Sequence, residues 1–279
     1  MNRRFFAQSI GSVAVLSLAK APVGAQPSPE AKPTKVMAIA AHPGDGLFTM
    51  GAALAKQIER GGAGVLLSLS LGEKGAPRNI PVREYGEMQR TATQKAANLL
   101  GAEAIFLSYP DAEIPFNEEI SLRVCDAIRE HRPQVIVTHW SGSWHKDHQN
   151  CHLIVRDAAF YAGLETLLRS QPAHSVSRIF YAENWEDAAN FVPDTYVNIE
   201  SVYEKWLQAC DFFPTWRGQT GFFRYNNYYS SLAVMRGCLS SSKYAVALMS
   251  DVSQRTERLP SLKTAASWNQ ATRPWLFSA

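Results

Sequence analysis

The sequence has no excess of charge of either sign once its first residues are set aside. Lys and Arg number 28 and Asp and Glu 25, and Arg3, Arg4 and Lys20 fall within the first 25 residues, where there is no acidic residue. The charges of the remaining chain therefore balance. Lys and Arg form no stripe and do not interleave with aromatic residues, so the sequence predicts no nucleic-acid partner.

Cysteines are few and widely spaced. The four, Cys125, Cys151, Cys210 and Cys238, form no C-x-x-C pair. Four cysteines allow three pairings, and the sequence selects none of them. A chain of this length buries a substantial core without disulfides, so buried free thiols are expected.

The chain also lacks an N-terminal apolar run long enough to span a bilayer. In residues 1–25, Arg3-Arg4 precede Phe5-Phe6, an apolar run continues to Ala19, and Val23-Gly24-Ala25 resembles a cleavage site. That run is too short for a stable span. We predict an export signal over 1–25, a linker over 26–34 and no stable membrane span after cleavage. The paired arginines favour the twin-arginine route to a periplasmic or extracellular location; a general secretory leader or an uncleaved anchor are the alternatives.

From residue 35 onward, short apolar segments alternate with segments of helical periodicity. Strands are predicted at 35–41, 65–71, 104–108 and 135–139, and helices at 47–58, 83–100, 118–131 and 148–168. This alternation predicts an α/β fold, a doubly wound Rossmann-like and mostly parallel sheet, in a single domain over 35–279. In such a sheet the first and fourth strands are neighbours, and ligands bind beyond their carboxyl ends.

Beyond residue 175 the pattern predicts a less regular C-terminal lobe. Strands are expected at 178–182 and 196–199, a helix at 202–212, and one or two helices across 232–249. Residues 213–229 are aromatic and irregular. We interpret them as packing at the sheet edge, with a substrate-facing flap as the alternative.

Two polar motifs follow the first and fourth predicted strands. Residues 41–46 read Ala-His-Pro-Gly-Asp-Gly, and residues 145–148 read His-Lys-Asp-His. His42, Asp45 and His148 are a ligand set of the open, catalytic zinc type, which leaves one position for a water whose pKa zinc lowers to about 7. Iron or cobalt would also accept these ligands.

The residues around this set have competing interpretations. Considered without the other residues, Asp45 would be interpreted as a helix-capping residue. His145 is expected to face the substrate as an imidazolium, with Asp147 holding it protonated. His152 forms a competing i, i+4 ligand pair with His148, although an exposed helix histidine is commoner. His139 is interpreted as a core residue or a partner of a ligand.

The chain resembles the PIG-L/LmbE-type zinc-dependent N-deacetylases, which remove acetyl from N-acetylglucosamine units. The resemblance spans roughly residues 35–250. It is carried by Ala41–Asp45, Leu71–Gly75, Leu100-Gly101, Tyr109–Asp111, His145–His148, Arg236-Gly237 and Tyr244-Ala245. It implies an LmbE-like fold, one zinc ion and an N-acetylated sugar or glycoconjugate as substrate.

The resemblance also implies roles for individual residues. His42, Asp45 and His148 match the zinc ligands. His145 matches the histidine that stabilises the oxyanion and acts as acid, and Asp147 matches its orienting partner. Glu73 and Asp111 fall in loops that approach the sugar in the family; as an alternative they are ordinary loop-capping carboxylates.

Several departures from the family pattern bear on activity. The family's general base is the first aspartate of an Asp-Asp pair, where this chain has Gly44, and Gly46 replaces a usual glutamate. Arg90 is one residue out of step with the usual Arg-x-x-Glu, and Val246 stands where an acid is usual. A missing base costs on the order of 10²–10⁴ in rate, unless Glu73 or Asp111 reaches the water instead.

Three functions remain open at this point. The first is an exported zinc hydrolase that removes an acetyl group from an N-acetylated sugar. The second is a zinc enzyme on the same scaffold with a different reaction, such as hydration of an unsaturated acid. The third is a sugar-binding zinc module that has lost efficient turnover.

Overall fold

The computed structural model describes residues 33–187 and 189–251. The predicted export signal and most of the predicted linker lie outside these residues, as do residues 252–279, so the export signal and the domain boundaries remain predictions. None of the helices in the two described ranges has both the length and the apolar character that crossing a bilayer requires.

Seven strands of the described chain form one mixed sheet with the order β3-β2-β1-β4-β5-β7-β6. Strands β1 to β5 run parallel, and β7 runs antiparallel to both β5 and β6. The predicted α/β class with a mostly parallel sheet is confirmed. The strands are β1 (Lys35–Ala40), β2 (Ala63–Ser70), β3 (Glu103–Tyr109), β4 (Val135–His139), β5 (Arg178–Ala182), β6 (Thr195–Asn198) and β7 (Ala245–Ser250).

Helices cover both faces of the sheet. They are α1 (Pro43–Phe48), α2 (Gly51–Glu59), α3 (Val82–Leu100), α4 (Glu118–His131), α5 (Lys146–Gly163), α6 (Tyr203–Cys210) and α7 (Tyr225–Leu239). Helices α4 and α5 pack on one face, and the other five pack on the opposite face. The side chains of β1 alternate between these two cores, with Val36, Ala38 and Ala40 on one side and Met37 and Ile39 on the other. The sequence of a strand that is buried on both faces is a continuous apolar run, as it is in β1.

Local signals in the sequence set several helix boundaries. Pro43 occupies the first turn of α1, where its missing N–H carries no penalty. The side chain of Asn117 accepts a hydrogen bond from the Ile120 N–H at 3.1 Å and starts α4. Gly101, with φ of 82°, ends α3 in the left-handed conformation.

The predicted helices across 232–249 are wrong in their second half. Helix α7 ends at Leu239, and the chain turns back so tightly that a Cβ on Gly237 would lie 2.6 Å from the Lys243 carbonyl oxygen. The apolar run that follows forms β7. A short apolar run does not by itself distinguish helix from strand, and here pairing with β5 and β6 decides for the strand. Helix α7 also begins at Tyr225, within the segment expected to be irregular, and α5 ends at Gly163 rather than near residue 168.

The neighbouring strands β1 and β4 bring the two polar motifs to the same edge of the sheet. Val36 pairs with Val135, Met37 with Ile136 and Ala38 with Val137. Helix α1 follows β1, and helix α5 follows β4. The N-termini of both helices therefore lie close together beyond the ends of these strands. This is the position that was expected for a ligand site.

Arg129 ties the C-terminal end of α5 to α4. Its buried guanidinium donates hydrogen bonds to five main-chain carbonyl groups, those of Tyr161, Ala162, Leu164, Leu167 and Gln171. Hydrogen bonds from a charged donor to buried acceptors are among the more stabilising ones. Arg129 therefore holds in place the helix that carries His148.

We expect Arg129→Met to lower the free energy of unfolding by about 2–4 kcal/mol, because several buried carbonyl groups lose their donor. Urea denaturation measures this. Arg60→Met, at an exposed position, is the matched control and should change stability by less than about 0.5 kcal/mol. If the two substitutions changed the free energy of unfolding equally, the stabilising role of Arg129 would be contradicted.

Candidate metal centre

Three donor atoms from the two polar motifs converge on one point. His42 Nδ1 lies 2.8 Å from Asp45 Oδ2 and 3.3 Å from His148 Nε2, and His148 Nε2 lies 3.0 Å from the same Asp45 oxygen. Ligand atoms bound to tetrahedral zinc at roughly 2.0–2.1 Å are about 3.3 Å apart. The structure thus brings the three predicted ligands together at nearly the spacing that a small divalent cation requires.

A carboxylate holds the other nitrogen of His42. Its Nε2 lies 3.0 Å from Asp111 Oδ1 and 3.5 Å from Asp147 Oδ2. Burial opposes protonation, but Asp111, Asp147 and Asp45 together raise the pKa of His42 well above its usual value. A carboxylate behind a metal-binding histidine fixes the tautomer and the orientation of the ring.

The second histidine is held in the same way. His148 Nδ1 lies 3.0 Å from Glu186 Oε2 and 3.3 Å from the Ser143 hydroxyl. Burial favours the neutral ring, but Asp45 and Glu186 raise the pKa of His148 to about 9. His42 and His148 therefore each offer one nitrogen to the shared point while a carboxylate engages the other.

Asp45 is the anionic member of the set. Burial opposes its charge, yet His148 and His42 hold its pKa well below the usual range. Its second oxygen, Oδ1, accepts a hydrogen bond from Asn184 at 3.5 Å, and the Tyr229 hydroxyl in turn donates to Asn184 at 3.0 Å. The carboxylate is ionised and oriented, as a metal ligand must be.

His145 lies beside the three donors, with its ring centroid 4.9 Å from that of His42 and 4.5 Å from that of His148. Its Nδ1 accepts the main-chain N–H of Asp147 at 3.2 Å. Burial, followed by the charges of His148 and His42, lowers the pKa of His145. This favours the neutral ring, with its proton on Nε2, over the imidazolium expected from the sequence.

The predicted contact between the Asp147 carboxylate and His145 is not made. Asp147 Oδ2 instead accepts the main-chain N–H of Ala112 at 2.7 Å and lies near His42. The reason is local: His145 is the N-cap of α5, so its ring receives the N–H of residue 147, while the Asp147 side chain points toward the loop after β3. Asp147 orients His42 rather than His145.

Glu73 and Asp111, expected to approach a substrate, are engaged within the protein. Asp111 Oδ2 accepts the Lys74 N–H at 2.9 Å, and Oδ1 faces His42. Glu73 Oε1 accepts the Asp111 N–H at 2.8 Å. Asp111 lines the cleft that opens above the donors, whereas Glu73 does not. Neither carboxylate is placed as a free base for the reaction.

The two remaining histidines of this region support the site without joining it. His139 stacks on His148 with the centroids 4.0 Å apart, and its Nε2 accepts the Ala41 N–H at 3.1 Å. His152 is buried rather than exposed, and its Nδ1 lies 3.1 Å from the His139 carbonyl oxygen. The competing pair of His148 and His152 is therefore not formed, because the His152 ring contacts the His139 carbonyl oxygen and the rings of Trp140 and Tyr181 instead.

The space beside Gly44 is restricted. A Cβ added to Gly44 would lie 3.1 Å from Cε2 of Phe48, which packs against Phe213, Trp216 and Tyr225. The backbone of Gly44 is otherwise open to an ordinary side chain, since it is not in the left-handed region. A carboxylate at this position requires a shift of the Phe48 ring by a few tenths of an ångström.

A cleft with a volume of about 410 Å³ opens above the donor atoms. Its floor contains His42, Asp45, His145 and His148. Part of its wall comes from the irregular segment between α6 and α7, which contributes Thr215, Thr220, Phe222 and Phe223, while Phe213 and Trp216 of that segment are buried. Some residues of this segment thus pack in the core, and others line the cleft.

Sequence reasoning missed Glu186, Asn184 and Tyr229. Glu186 and Asn184 follow β5, the neighbour of β4, so the rule that sites gather beyond the carboxyl ends of parallel strands could have indicated them. Tyr229 is contributed by α7, and nothing in the sequence pattern links it to the site.

The fold and the donor set define an α/β domain with a candidate metal centre at the ends of β1 and β4. Residues 37–159 match the family model for PIG-L, the GlcNAc-PI de-N-acetylases. This match confirms the resemblance to the PIG-L family that the motifs predicted.

The relatives of this chain differ in reaction. A 4-oxalmesaconate hydratase from Pseudomonas putida is 24% identical over 211 residues, which cover 72% of this chain and 79% of the hydratase. The crystal structure of GalB, the 4-carboxy-2-hydroxymuconate hydratase of the same species, has a TM-score of 0.73 at 22% identity and covers 81% of this chain and 99% of its own. The structure of the N,N'-diacetylchitobiose deacetylase of Pyrococcus horikoshii has a TM-score of 0.67 at 19% identity. The match covers 83% of this chain and 88% of the deacetylase. These likenesses establish a common fold.

Metal binding should release protons. A metal ligand must be a neutral imidazole, and His148, whose pKa is raised to about 9, is protonated at pH 7. Apparent zinc affinity should therefore fall as the pH decreases below about 9, by up to about tenfold per unit for each displaced proton. Calorimetry in buffers of different ionisation heat counts the protons. Glu186→Gln should reduce the number released, and zinc binding without proton release in the unsubstituted protein would contradict the prediction.

Proposed function

We propose that this protein is an exported zinc-dependent hydrolase that removes an acetyl group from an N-acetylated sugar or glycoconjugate. The observation that carries the proposal is the convergence of His42, Asp45 and His148 beside His145 at the floor of a cleft. The export component rests on the sequence of residues 1–25 alone.

Zinc bound by two imidazoles and a carboxylate supplies Lewis acidity and a water of lowered pKa, about 7. The residues of the chain supply the rest. His145 accepts the Asp147 N–H at Nδ1, so its neutral ring carries the proton on Nε2. From there it would donate a hydrogen bond to the amide carbonyl oxygen as negative charge develops, and the leaving amine would take the proton that the attacking water gives up.

The charge of the cleft favours a neutral substrate. Lys74 is the one Lys or Arg among the described residues that line it, and its ammonium group pairs with Glu113. Asp111 and Glu186 add negative charge at the floor. A substrate with several carboxylates would need cationic partners, and an uncharged acetamido sugar needs none.

Hydration of an unsaturated acid is the second candidate, because Gly44 removes the carboxylate that a deacetylase uses as base and a hydratase is among the relatives of this chain. A zinc module that binds sugar without efficient turnover is the third, for the same reason. The lack of free cationic groups in the cleft argues against an acid with several carboxylates as substrate, whereas the sugar-binding module takes the same neutral ligand as the hydrolase and differs from it only in turnover.

Acetate release from N-acetylglucosamine derivatives by the zinc-loaded protein tests the proposal. His145→Ala should reduce kcat by about 10²–10³, because the hydrogen bond to the developing oxyanion is lost. His131→Ala is the matched control, since His131 contacts Glu103 away from the cleft, and it should leave kcat unchanged. The proposal would be contradicted if the protein released no acetate, or if His145→Ala and His131→Ala were equally active.

Restoring the carboxylate at residue 44 should increase deacetylation. We expect Gly44→Asp to raise kcat by about 10²–10⁴, the usual contribution of a general base, reduced by whatever displacement of Phe48 costs. Gly44→Asn has the same shape without the charge and controls for that displacement. If both variants, shown to hold zinc, leave kcat unchanged, loss of the base is not what limits the reaction.

A further inference from the structure

A tight turn after β5 holds two residues against the candidate metal ligands. The turn covers residues 184–187. The Asp187 N–H donates to the Asn184 carbonyl oxygen at 3.0 Å, and the Asp187 carboxylate accepts the Asn184 N–H at 2.9 Å. The Trp144 N–H donates to the Glu186 carbonyl oxygen at 3.2 Å. The turn is thus closed on itself and attached to the loop that leads into α5.

The hydrogen-bond partners of the Asn184 carboxamide determine which way it faces. Asn184 is only 5% exposed, and its Oδ1 accepts the Glu186 N–H at 3.3 Å and the Tyr229 hydroxyl at 3.0 Å. A main-chain N–H only donates, so the oxygen of the carboxamide has to face it. The amino group, Nδ2, then faces the carboxylate of Asp45, which only accepts.

The two oxygens of Asp45 have different surroundings. Oδ2 lies 2.8 Å from His42 Nδ1 and 3.0 Å from His148 Nε2, at the point that the three donors share. Oδ1 lies 3.5 Å from Asn184 Nδ2. Among the residues that the structure describes, Asn184 supplies the one hydrogen-bond donor to Oδ1. One oxygen therefore belongs to the metal centre and the other to the carboxamide.

This division matters because a carboxylate binds a metal ion through one oxygen or through both. Two imidazoles and one carboxylate oxygen leave the fourth position of a tetrahedral ion for water, as catalytic zinc sites do. A second carboxylate oxygen would occupy that position. A hydrogen bond that holds the second oxygen keeps it from the ion.

We propose that Asn184 is a positioning residue that restricts Asp45 to a single donor oxygen and so keeps one position at the metal open. The proposal rests on the metal ion of the proposed function and not on deacetylation. Asn184 also acts on a second ligand, since its Oδ1 fixes the Glu186 main chain and the Glu186 carboxylate lies 3.0 Å from His148 Nδ1.

Cobalt(II) loaded into the full-length protein in place of zinc tests this, because these ligands accept cobalt and its visible absorption is far more intense in a four-coordinate site than in a five- or six-coordinate one. The unsubstituted protein should give the intense spectrum. Asn184→Ser keeps an oxygen that accepts the N–H two residues on, but its hydroxyl ends one atom short of Asp45. This variant should still bind cobalt and should lose most of the intensity.

Two further variants separate this role from an effect on the fold. Asn184→Leu, of similar size but without a donor, should lose the same intensity and bind zinc about 10- to 100-fold more weakly, the usual cost of removing a group that orients a ligand. Asn98→Ser, at an exposed position of α3, is the matched control and should change neither value. Thermal unfolding shows which variants are folded.

The proposal would be overturned by full cobalt intensity in a folded Asn184→Ser variant, or by a weak spectrum of the unsubstituted protein. A folded Asn184→Ser variant that takes up no cobalt would overturn it too, because the three donors are still present.

Acetate release, measured beside the cobalt spectrum, distinguishes this proposal from the proposed function. If the spectrum responds to Asn184→Ser and no acetate is released, the role of Asn184 stands and the hydrolase falls. If acetate is released and the spectrum does not respond, the hydrolase stands and the role of Asn184 falls. If the unsubstituted protein takes up no cobalt, the role of Asn184 falls with the metal centre.

Discussion

The arrangement of the site depends on the parallel pairing of β1 with β4. This pairing sets the ends of the two strands side by side, so that the residues that leave them meet although more than a hundred positions separate them in the chain. Nothing else in the fold would bring His42 and His148 within 3.3 Å of each other. The helices that follow hold their first turns at the same point, and the two apolar cores keep both strands in register.

Convergence alone does not make a good metal site, because two imidazoles and a carboxylate at this spacing also form an ion-paired cluster. What favours the metal is the set of groups behind the donors. Asp111 engages one histidine and Glu186 the other, each at 3.0 Å from the nitrogen that faces away from the shared point. Carboxylates in this position increase the basicity of a metal-binding imidazole and set its orientation.

The two polar motifs could be recognised in the sequence because each directly follows a short apolar run in a chain where such runs alternate with helical segments. The rule that sites gather beyond the carboxyl ends of parallel strands could have indicated Glu186 and Asn184, which follow β5, but it could not have indicated Tyr229. Tyr229 lies on α7, in a segment that the sequence pattern did not predict to be helical, and it reaches the site through its contact with Asn184. The local sequence pattern identifies the three candidate metal ligands, whereas the residues that contact those ligands are identified only by the tertiary structure.

Gly44, beside the aromatic packing around Phe48, is where this chain departs from the PIG-L sequence pattern. The aromatic cluster occupies the space next to a position that lacks the expected carboxylate. The cleft retains its metal donors and its neutral His145, and Lys74 is the one Lys or Arg among the described residues that line it. These features are more consistent with an altered catalyst for a neutral substrate than with a domain that has lost its site.

The most direct measurement is an anomalous-scattering map at the zinc absorption edge from crystals of the zinc-loaded protein. The account predicts one strong peak per chain, bound by His42 Nδ1, Asp45 and His148 Nε2 together. A peak bound by other side chains, or full zinc occupancy with any one of these three residues out of reach, would contradict it.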